Sequence, residues 1–146
     1  MARRKVCIVT GSRAEYGDLK PVMRALDEAE DFELQIVVQA SMLPEEHGAP
    51  WRLIQRDGFH IHYKIYNQVA GECAAALASA GAIGLQGCSS AFADLQPDLV
   101  IAYGDRYEIL AVANACLLHG IPLAHMSGGD CTTCAIDDCV RHAVTK

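Results

Sequence analysis

Charged side chains at the end of a predicted strand are the first residues in this sequence that could do chemistry. Residues 99–102 are all apolar, as in a buried strand, and Gly104 permits a tight turn after them. Asp105 and Arg106 then precede an apolar helix predicted at residues 108–119. In an open α/β sheet, ligands bind where strands end and helices begin, so this pair is a candidate for binding or proton transfer. The alternative is that Asp105 caps the helix and Arg106 is solvated.

A second loop with polar groups follows the first predicted strand. Residues 11–17 place the hydroxyl of Ser12 and the guanidinium of Arg13 ahead of a predicted helix, which suits an anionic group. The spacing matches neither a P-loop nor a dinucleotide-binding glycine motif. The alternative is an ordinary turn with a solvated arginine.

The last loop and helix bring five ionisable residues close together in sequence. These are Asp130, Asp137, Asp138, Arg141 and His142. Asp138 is three residues before Arg141 and four before His142, so the three side chains can share a helical face. A carboxylate beside His and Arg could transfer a proton near a phosphate leaving group. The alternative is a salt-bridged helix start, favoured by the helix dipole.

Three cysteines in the same region suggest a metal or redox site. Cys131 and Cys134 have the Cys-x-x-Cys spacing of half a zinc site or a redox pair, and Cys139 follows. No second Cys-x-x-Cys occurs, so we predict no metal site. The total of seven cysteines is odd, and most of the others lie in apolar surroundings, as small buried residues do.

Apolar runs that alternate with helical patterns predict the elements that would position these loops. The runs predict five strands, at residues 5–10, 32–39, 59–65, 99–102 and 123–126. The helical patterns cover residues 18–30, 51–56, 70–92, 108–119 and 136–144, and the glycines in 70–92 leave open two shorter helices. Strands alternating with helices predict an α/β fold, a Rossmann-like doubly wound parallel sheet in one domain of 146 residues. All three polar loops should then open on the same edge of the sheet.

Composition excludes several classes of partner. The net charge is −6 without a basic run, which argues against nucleic acid or an anionic membrane surface. No stretch reaches the roughly 20 apolar residues of a membrane span. The apolar run after Met1 is too short for a signal peptide, so we expect a cytoplasmic protein.

Taken together, these loops resemble the hydrolysing UDP-N-acetylglucosamine 2-epimerases of sialic acid biosynthesis. The resemblance runs in order along nearly the whole chain, and the residues that carry it are Thr10-Gly-Ser-Arg-Ala-Glu-Tyr-Gly17, Asp57-Gly-Phe59, Pro97-Asp98, Gly104-Asp-Arg-Tyr-Glu108, Ile121-Pro122, His125, Gly128-Gly-Asp130, Ala135-Ile-Asp-Asp138 and Arg141-His-Ala-Val-Thr-Lys146.

The resemblance implies the amino-terminal half of a two-domain, glycosyltransferase-B-like enzyme, with the carboxyl-terminal domain absent from this chain. It implies UDP elimination to a 2-acetamidoglucal and hydration to N-acetylmannosamine, without metal or nicotinamide, in an enzyme that is a homo-oligomer at full length. It also implies acid/base roles for acidic residues at these positions and Arg13 near the phosphates. We therefore predict catalytic roles for Asp105, Asp130, Asp137, Asp138 and His142, and substrate binding by Ser12, Arg13, Arg106, Gly128, Gly129 and Arg141.

The sequence departs from the family pattern at three places. Met42 stands where the family often has His, Thr133-Cys134 replaces Glu-Gly, and Asp130 is more often Glu. Two alternatives remain beside the UDP-N-acetylglucosamine enzyme. One is a 2-epimerase of a related UDP-2-acetamido sugar, UDP-N,N'-diacetylbacillosamine, and the other is a non-catalytic sugar-nucleotide-binding or assembly domain. The isolated domain is expected to be inactive, since half of the cleft would be missing.

Overall fold

Five parallel strands form one sheet in a computed structural model that describes residues 2–71, 73–130 and 136–146. The strands are β1 (Arg4–Thr10), β2 (Phe32–Gln39), β3 (Tyr63–Ile65), β4 (Leu99–Tyr103) and β5 (Leu123–Met126), in the spatial order β3-β2-β1-β4-β5. The helices are α1 (Arg13–Glu28), α2 (Trp51–Arg56), α3 (Ala74–Leu95), α4 (Tyr107–His119) and α5 (Ile136–Thr145). Two short 3-10 helices, Ala40–Met42 and Glu45–His47, lie between β2 and α2.

The sheet has a hydrophobic core on each face. Alternate residues of β1 point to opposite sides: Val6 and Ile8 pack with α1 and α2, whereas Cys7 and Val9 pack with α3 and α4. Val144 of α5 contacts the second of these cores. A parallel sheet covered on both faces explains why its strands are continuous apolar runs. The predicted Rossmann-like, doubly wound α/β fold is thus confirmed.

Helix α1 begins five residues earlier than the sequence predicted. Ser12 is the N-cap, and its hydroxyl accepts a hydrogen bond from the amide of Glu15 at 3.3 Å. The Glu15 carboxylate in turn accepts from the amide of Gly11 at 2.7 Å. The sequence Ser-x-x-Glu is a capping box, and this arrangement satisfies amides that the first turn leaves unpaired. Residues 13–17 are therefore helix and not loop, although Gly17 suggested otherwise.

Strand β3 is shorter than predicted, because His62 pairs with β2 through its side chain as well as its backbone. Its backbone amide donates to the carbonyl of Ile36 at 2.8 Å, while its ring Nδ1 accepts from the Ile36 amide at 3.1 Å. The regular ladder begins only at Tyr63. The predicted strand 59–65 is reduced to its last three residues.

Helix α3 is continuous, and two of its glycines lie where other elements approach closely. A Cβ on Gly87 would lie 2.3 Å from Cγ2 of Ile65, and one on Gly84 would lie 2.8 Å from Nδ2 of Asn67. The glycines therefore let the helix sit on the sheet. They do not divide it into two pieces.

Candidate functional site

The three polar segments that follow β1, β4 and β5 begin at the same edge of the sheet. Strands β1, β4 and β5 are adjacent and parallel, with Val9 paired to Ala102 and Ala102 paired to His125. Their carboxyl ends therefore lie side by side, and each is followed by one of the loops identified from sequence. The prediction that these loops share an edge is confirmed.

The guanidinium of Arg141 joins two of these loops to α5. It is 2% exposed and lies between the carboxylates of Asp105 and Asp138, with its Nη1 atom 2.9 Å from Oδ1 of Asp138. The same Nη1 donates to the backbone carbonyl of Asp130 at 2.6 Å. The hydrogen bond to Asp105 is the main reason that the pKa of Arg141 is raised. One cation thus fixes the β4 loop, the β5 loop and the final helix relative to one another.

The two carboxylates of this cluster remain partly accessible. The side chains of Asp105 and Asp138 are 29% and 28% exposed. The second oxygen of Asp138 lies 3.4 Å from Nε2 of His142, an exposed side chain one helical turn later. The sequence-predicted sharing of a helical face by Asp138, Arg141 and His142 is observed. Arg141 stays protonated and holds the two carboxylates in place, whereas the contact between Asp138 and His142 could pass a proton to solvent.

The remaining acidic residues of this region are placed more peripherally. Asp130 is exposed, its backbone carbonyl accepts from Arg141, and its charge contributes to raising the pKa of Arg141. Asp137 is half-buried in the first turn of α5. Their predicted catalytic roles stay predictions.

A second ionic cluster connects α1 with α4 at the same edge. The buried carboxylate of Glu108 accepts from Nη2 and Nε of Arg106 at 3.0 and 3.3 Å, and half of the arginine side chain stays exposed. Glu15 is also buried, and its pKa is raised by burial and, to a smaller extent, by the nearby charge of Glu108. Arg106 is thus held by a buried carboxylate with its outer side open, as a binding cation requires.

The two residues predicted to bind substrate from the first polar segment differ in their surroundings, since Ser12 is bonded within the protein and Arg13 is exposed. Ser12 caps α1, so its hydroxyl has a structural function. Arg13 is exposed in the first turn of that helix, at the end of β1. A cation at a helix N-terminus on the open edge can meet an anion from outside the chain.

His125 links the β4 loop to α5. Its Nε2 lies 2.5 Å from the carbonyl of Gly104, and its Nδ1 lies 3.4 Å from the hydroxyl of Thr145. A Cβ on Gly128 would lie 2.8 Å from that Nδ1, so the glycine is required by close packing. A Cβ on Gly129 would have no such neighbour within 4 Å. Substrate contacts by the two glycines stay predictions.

Sequence reasoning named Glu15 and Glu108 only as members of motifs and missed a buried amide pair. Asn67 accepts from the amide of Ala40 at 2.7 Å and donates to Gln39 at 3.4 Å, at the carboxyl end of β2. The Ser-x-x-Glu pattern could have identified Glu15 as a capping residue, but no local pattern indicates that Gln39 and Asn67 meet. Their contact depends on the crossover from β2 to β3.

Met42, the residue found where the family often has His, is fully buried in the core beneath α1 and α2. Its side chain contributes to packing and is not presented to the open edge.

The predicted Cys-x-x-Cys motif falls outside the described residues. Cys131 and Cys134 lie outside them, as does the Thr133-Cys134 departure, and Cys139 is exposed on α5. Within residues 2–71, 73–130 and 136–146, no group of three or more His, Cys, Asp or Glu side chains could hold a metal ion. No helix among the same residues is long and apolar enough to cross a membrane.

The sequence of this chain is similar to a protein family and to several of its characterised relatives. The sequence profile of the family described as "UDP-N-acetylglucosamine 2-epimerase" matches residues 24–146. The "GDP/UDP-N,N'-diacetylbacillosamine 2-epimerase (hydrolyzing)" of Campylobacter jejuni is 39% identical over all 146 residues, which cover 38% of that protein. The "UDP-N,N'-diacetylbacillosamine 2-epimerase (hydrolyzing)" of Legionella pneumophila is 36% identical over 98% of this chain, again covering 38% of the relative.

Solved structures show the same fold. The UDP-GlcNAc 2-epimerase from Neisseria meningitidis, bound to UDP-GlcNAc, superimposes with a TM-score of 0.82 at 18% identity, over 97% of this chain and 37% of that one. The present chain therefore spans less than two fifths of the length of each of these epimerases.

Proposed function

Because this chain belongs to the UDP-N-acetylglucosamine 2-epimerase family, we propose that it is the amino-terminal domain of an enzyme that inverts carbon 2 of a UDP-2-acetamido sugar. The relatives are more than twice as long as this chain. A second domain would face the open edge of the sheet, in a glycosyltransferase-B-like arrangement, and close the cleft. The single observation that carries the proposal is the buried Arg141, which gathers two partly exposed carboxylates at that edge.

The proposed reaction is hydrolysing epimerisation. A base removes the proton on carbon 2, the bond between carbon 1 and the glycosidic oxygen breaks, and UDP leaves with the electron pair. The product is a 2-acetamidoglucal. Water then adds at carbon 1 while carbon 2 receives a proton on the opposite face, which gives the 2-epimer, N-acetylmannosamine in the case of UDP-N-acetylglucosamine.

Two carboxylates are available for the proton transfers. Asp105 and Asp138 lie on either side of Arg141, and both side chains are partly accessible. We assign the base to one of these two residues, and His142 to proton exchange between Asp138 and solvent. Asp130 and Asp137 are candidates for contacts with the sugar.

Departure of UDP requires cations, because negative charge builds on the leaving phosphate. Arg13 and Arg106 expose guanidinium groups at the ends of β1 and β4. The amino-terminal turns of α1 and α4 add partial positive charge at the same edge. Arg141 is already shared between two carboxylates, so we assign it to holding the base in place.

The sequence identities of the relatives support a second candidate substrate. The two diacetylbacillosamine enzymes are 39% and 36% identical to this chain, compared with 28% for the UDP-N-acetylglucosamine 2-epimerase of Neisseria meningitidis. UDP-N,N'-diacetylbacillosamine is therefore the second candidate beside UDP-N-acetylglucosamine. Measuring kcat/KM of the full-length enzyme for both sugar nucleotides separates them.

A conservative substitution tests the catalytic assignment. Asp105→Asn in the full-length enzyme keeps the side-chain shape but removes the charge, so we expect kcat for UDP release to fall by about 10²-fold or more. Asp27→Asn, on the exposed side of α1, is the matched control and should leave kcat unchanged. Undiminished turnover by Asp105→Asn would assign this residue to structure and leave Asp138 as the base, whereas a wild-type full-length protein that releases no UDP would favour a non-catalytic binding or assembly domain.

The chain of 146 residues provides a second test. It should release no UDP by itself, because the other wall of the cleft belongs to the second domain. Robust turnover by this chain would contradict the two-domain proposal.

A further inference from the structure

Ser127 has an unusual backbone conformation at the edge of the sheet where the candidate site lies. Its φ angle is +60°, in the left-handed region that residues with a Cβ rarely adopt. It directly follows Met126, the last residue of β5. Neither Gly128 nor Gly129 has a positive φ, so the left-handed turn is made by the serine and not by a glycine.

The neighbouring strand makes the same turn with the usual residue. Tyr103 at the end of β4 pairs with Met126, and Gly104 follows with a φ of +88°. The Gly104 amide donates to the carbonyl of Met126 at 3.1 Å, so the two turns are held side by side. At equivalent positions one strand therefore uses glycine, which adopts this conformation without strain, and the other uses Ser127.

Contacts on both sides hold Ser127 in this conformation. Met126 before it is paired in the sheet. Gly128 after it packs so closely against His125 that a Cβ would lie 2.8 Å from Nδ1, and its carbonyl accepts from the Thr145 hydroxyl at 3.4 Å. Backbone strain that the surrounding structure enforces is characteristic of functional sites. A serine retained at such a position points to a use for its side chain.

The hydroxyl of Ser127 is available to a ligand. The residue is half-buried, and within residues 2–71, 73–130 and 136–146 its side chain forms no hydrogen bond. Two other serines at this edge are bonded within the protein, since Ser12 caps α1 and Ser41 donates to the carbonyl of Gly11 at 2.8 Å. A hydroxyl can donate one hydrogen bond and accept others, which suits the carbonyl and the N–H of an amide.

We propose that the Ser127 hydroxyl binds the 2-acetamido group of the sugar nucleotide. This inference rests on the proposed function, because the acetamido group is attached to the carbon from which the base removes a proton. Both candidate bases lie beside the turn that begins at Ser127. Asp105 follows the adjacent strand, and adjacent strands are about 4.8 Å apart. Asp138 is joined to the same turn through Arg141, which donates to the carbonyl of Asp130.

A residue beside the base is therefore within reach of the substituent on carbon 2. Hydrogen bonding to that substituent orients carbon 2 toward the base and makes Ser127 a determinant of selectivity for 2-acetamido sugars.

Two substitutions separate the hydroxyl from the backbone conformation. Ser127→Ala removes the hydroxyl and keeps the Cβ, whereas Ser127→Gly also relieves the left-handed strain. In the full-length enzyme both should lower kcat/KM by roughly 10-fold, the effect of one hydrogen bond to the substrate, and only Ser127→Gly should also raise Tm. Gln96→Gly is the matched control. It relieves a φ of +50° at the end of α3, at the opposite edge of the sheet, and should raise Tm without changing kcat/KM.

Binding measurements identify the part of the substrate that Ser127 contacts. They are made by calorimetry in whichever of the Asp105→Asn and Asp138→Asn backgrounds does not turn over substrate, so that the sugar nucleotide stays intact. Ser127→Ala should raise the Kd of UDP-N-acetylglucosamine or UDP-N,N'-diacetylbacillosamine, whichever binds more tightly, by roughly 10-fold. The Kd of UDP, which lacks the acetamido group, should not change.

Each outcome decides the question. Wild-type kcat/KM and Kd values for Ser127→Ala overturn the proposal, and so does an equal loss of affinity for UDP. A wild-type enzyme that binds these sugar nucleotides without turning them over contradicts the proposed function alone, because the affinities of wild type and Ser127→Ala still test the contact. A wild-type enzyme that binds neither sugar nucleotide overturns both. A Tm of Ser127→Ala close to that of the wild type separates a lost contact from unfolding.

Discussion

The close contact between α3 and β3 gives a quantitative prediction for Gly87. Replacing a helical glycine by alanine normally stabilises a helix by about 1 kcal/mol. At Gly87 the new Cβ would lie 2.3 Å from Cγ2 of Ile65, and 3.1 Å and 3.2 Å from two further atoms of that side chain. These distances are well below the ~3.5–4.0 Å of normal carbon contacts, so the helix or Ile65 must move.

The same substitution at Gly81 is a matched control, since a Cβ there meets nothing within 4 Å. Both positions lie inside α3, so the gain in helix propensity cancels when the two variants are compared. The remaining difference in the free energy of unfolding is the cost of overpacking, about 1–3 kcal/mol.

Thermal and urea unfolding measure this difference. For a chain of this size it corresponds to a Tm of Gly87→Ala about 3–9 °C below that of Gly81→Ala. Gly81→Ala itself should melt above the wild type. If both variants are stabilised equally, α3 does not approach β3 as closely as the structure shows, and close packing against Ile65 is not the reason for a glycine at position 87.

Three further predictions concern other parts of the molecule. Burial, and to a smaller extent the charge of His60, lowers the pKa of His62 below its ordinary value of 6.5. Above pH 6.5 the neutral ring therefore accepts the hydrogen bond from the Ile36 amide and stabilises the fold. That contribution is lost as the pH falls through the lower folded pKa, and the acid side of a stability-against-pH curve should be flatter for His62→Gln than for the wild type. Ser12→Ala removes the N-cap of α1 and should lower the free energy of unfolding by about 1 kcal/mol, measured in urea; an unchanged value would contradict the capping assignment. Three cysteines are buried: Cys7, Cys88 and Cys116. Burial raises the pKa of Cys88 and of Cys116 to about 12. At about pH 8 a thiol reagent should therefore label only the exposed cysteines of the folded protein, and the three buried thiols should react only after denaturant is added.

Most of the fold follows from local patterns in the sequence. The predicted bounds of β2, β5 and α2 agree with the structure, because each is an apolar or periodic segment bounded by turn residues. The errors in β3 and α3 arose where a distant contact decided the conformation, whereas the late start predicted for α1 overlooked its local Ser-x-x-Glu cap. His62 replaces a rung of the ladder with its ring, and glycines in α3 serve contacts with β3 and Asn67.

The candidate site likewise has features that local patterns predict and contacts that they do not. The sequence placed Asp105 and Arg106 at a strand end and Asp138, Arg141 and His142 on one helical face, because both inferences need only strand and helix periodicity. Nothing local shows that Arg141 reaches across 36 residues to Asp105, or that Glu108 is buried and holds Arg106.

A parallel α/β sheet with charged groups at one edge follows from the order of the residues, since continuous apolar runs specify buried strands and helical periodicity specifies the face that each helix buries. Only the tertiary structure decided which of those charges are neutralised inside the protein and which stay open to a ligand. The reason is that ion pairs between loops depend on the spatial order of the strands. Adjacent residues such as Arg141, which is buried, and His142, which is exposed, therefore have different surroundings.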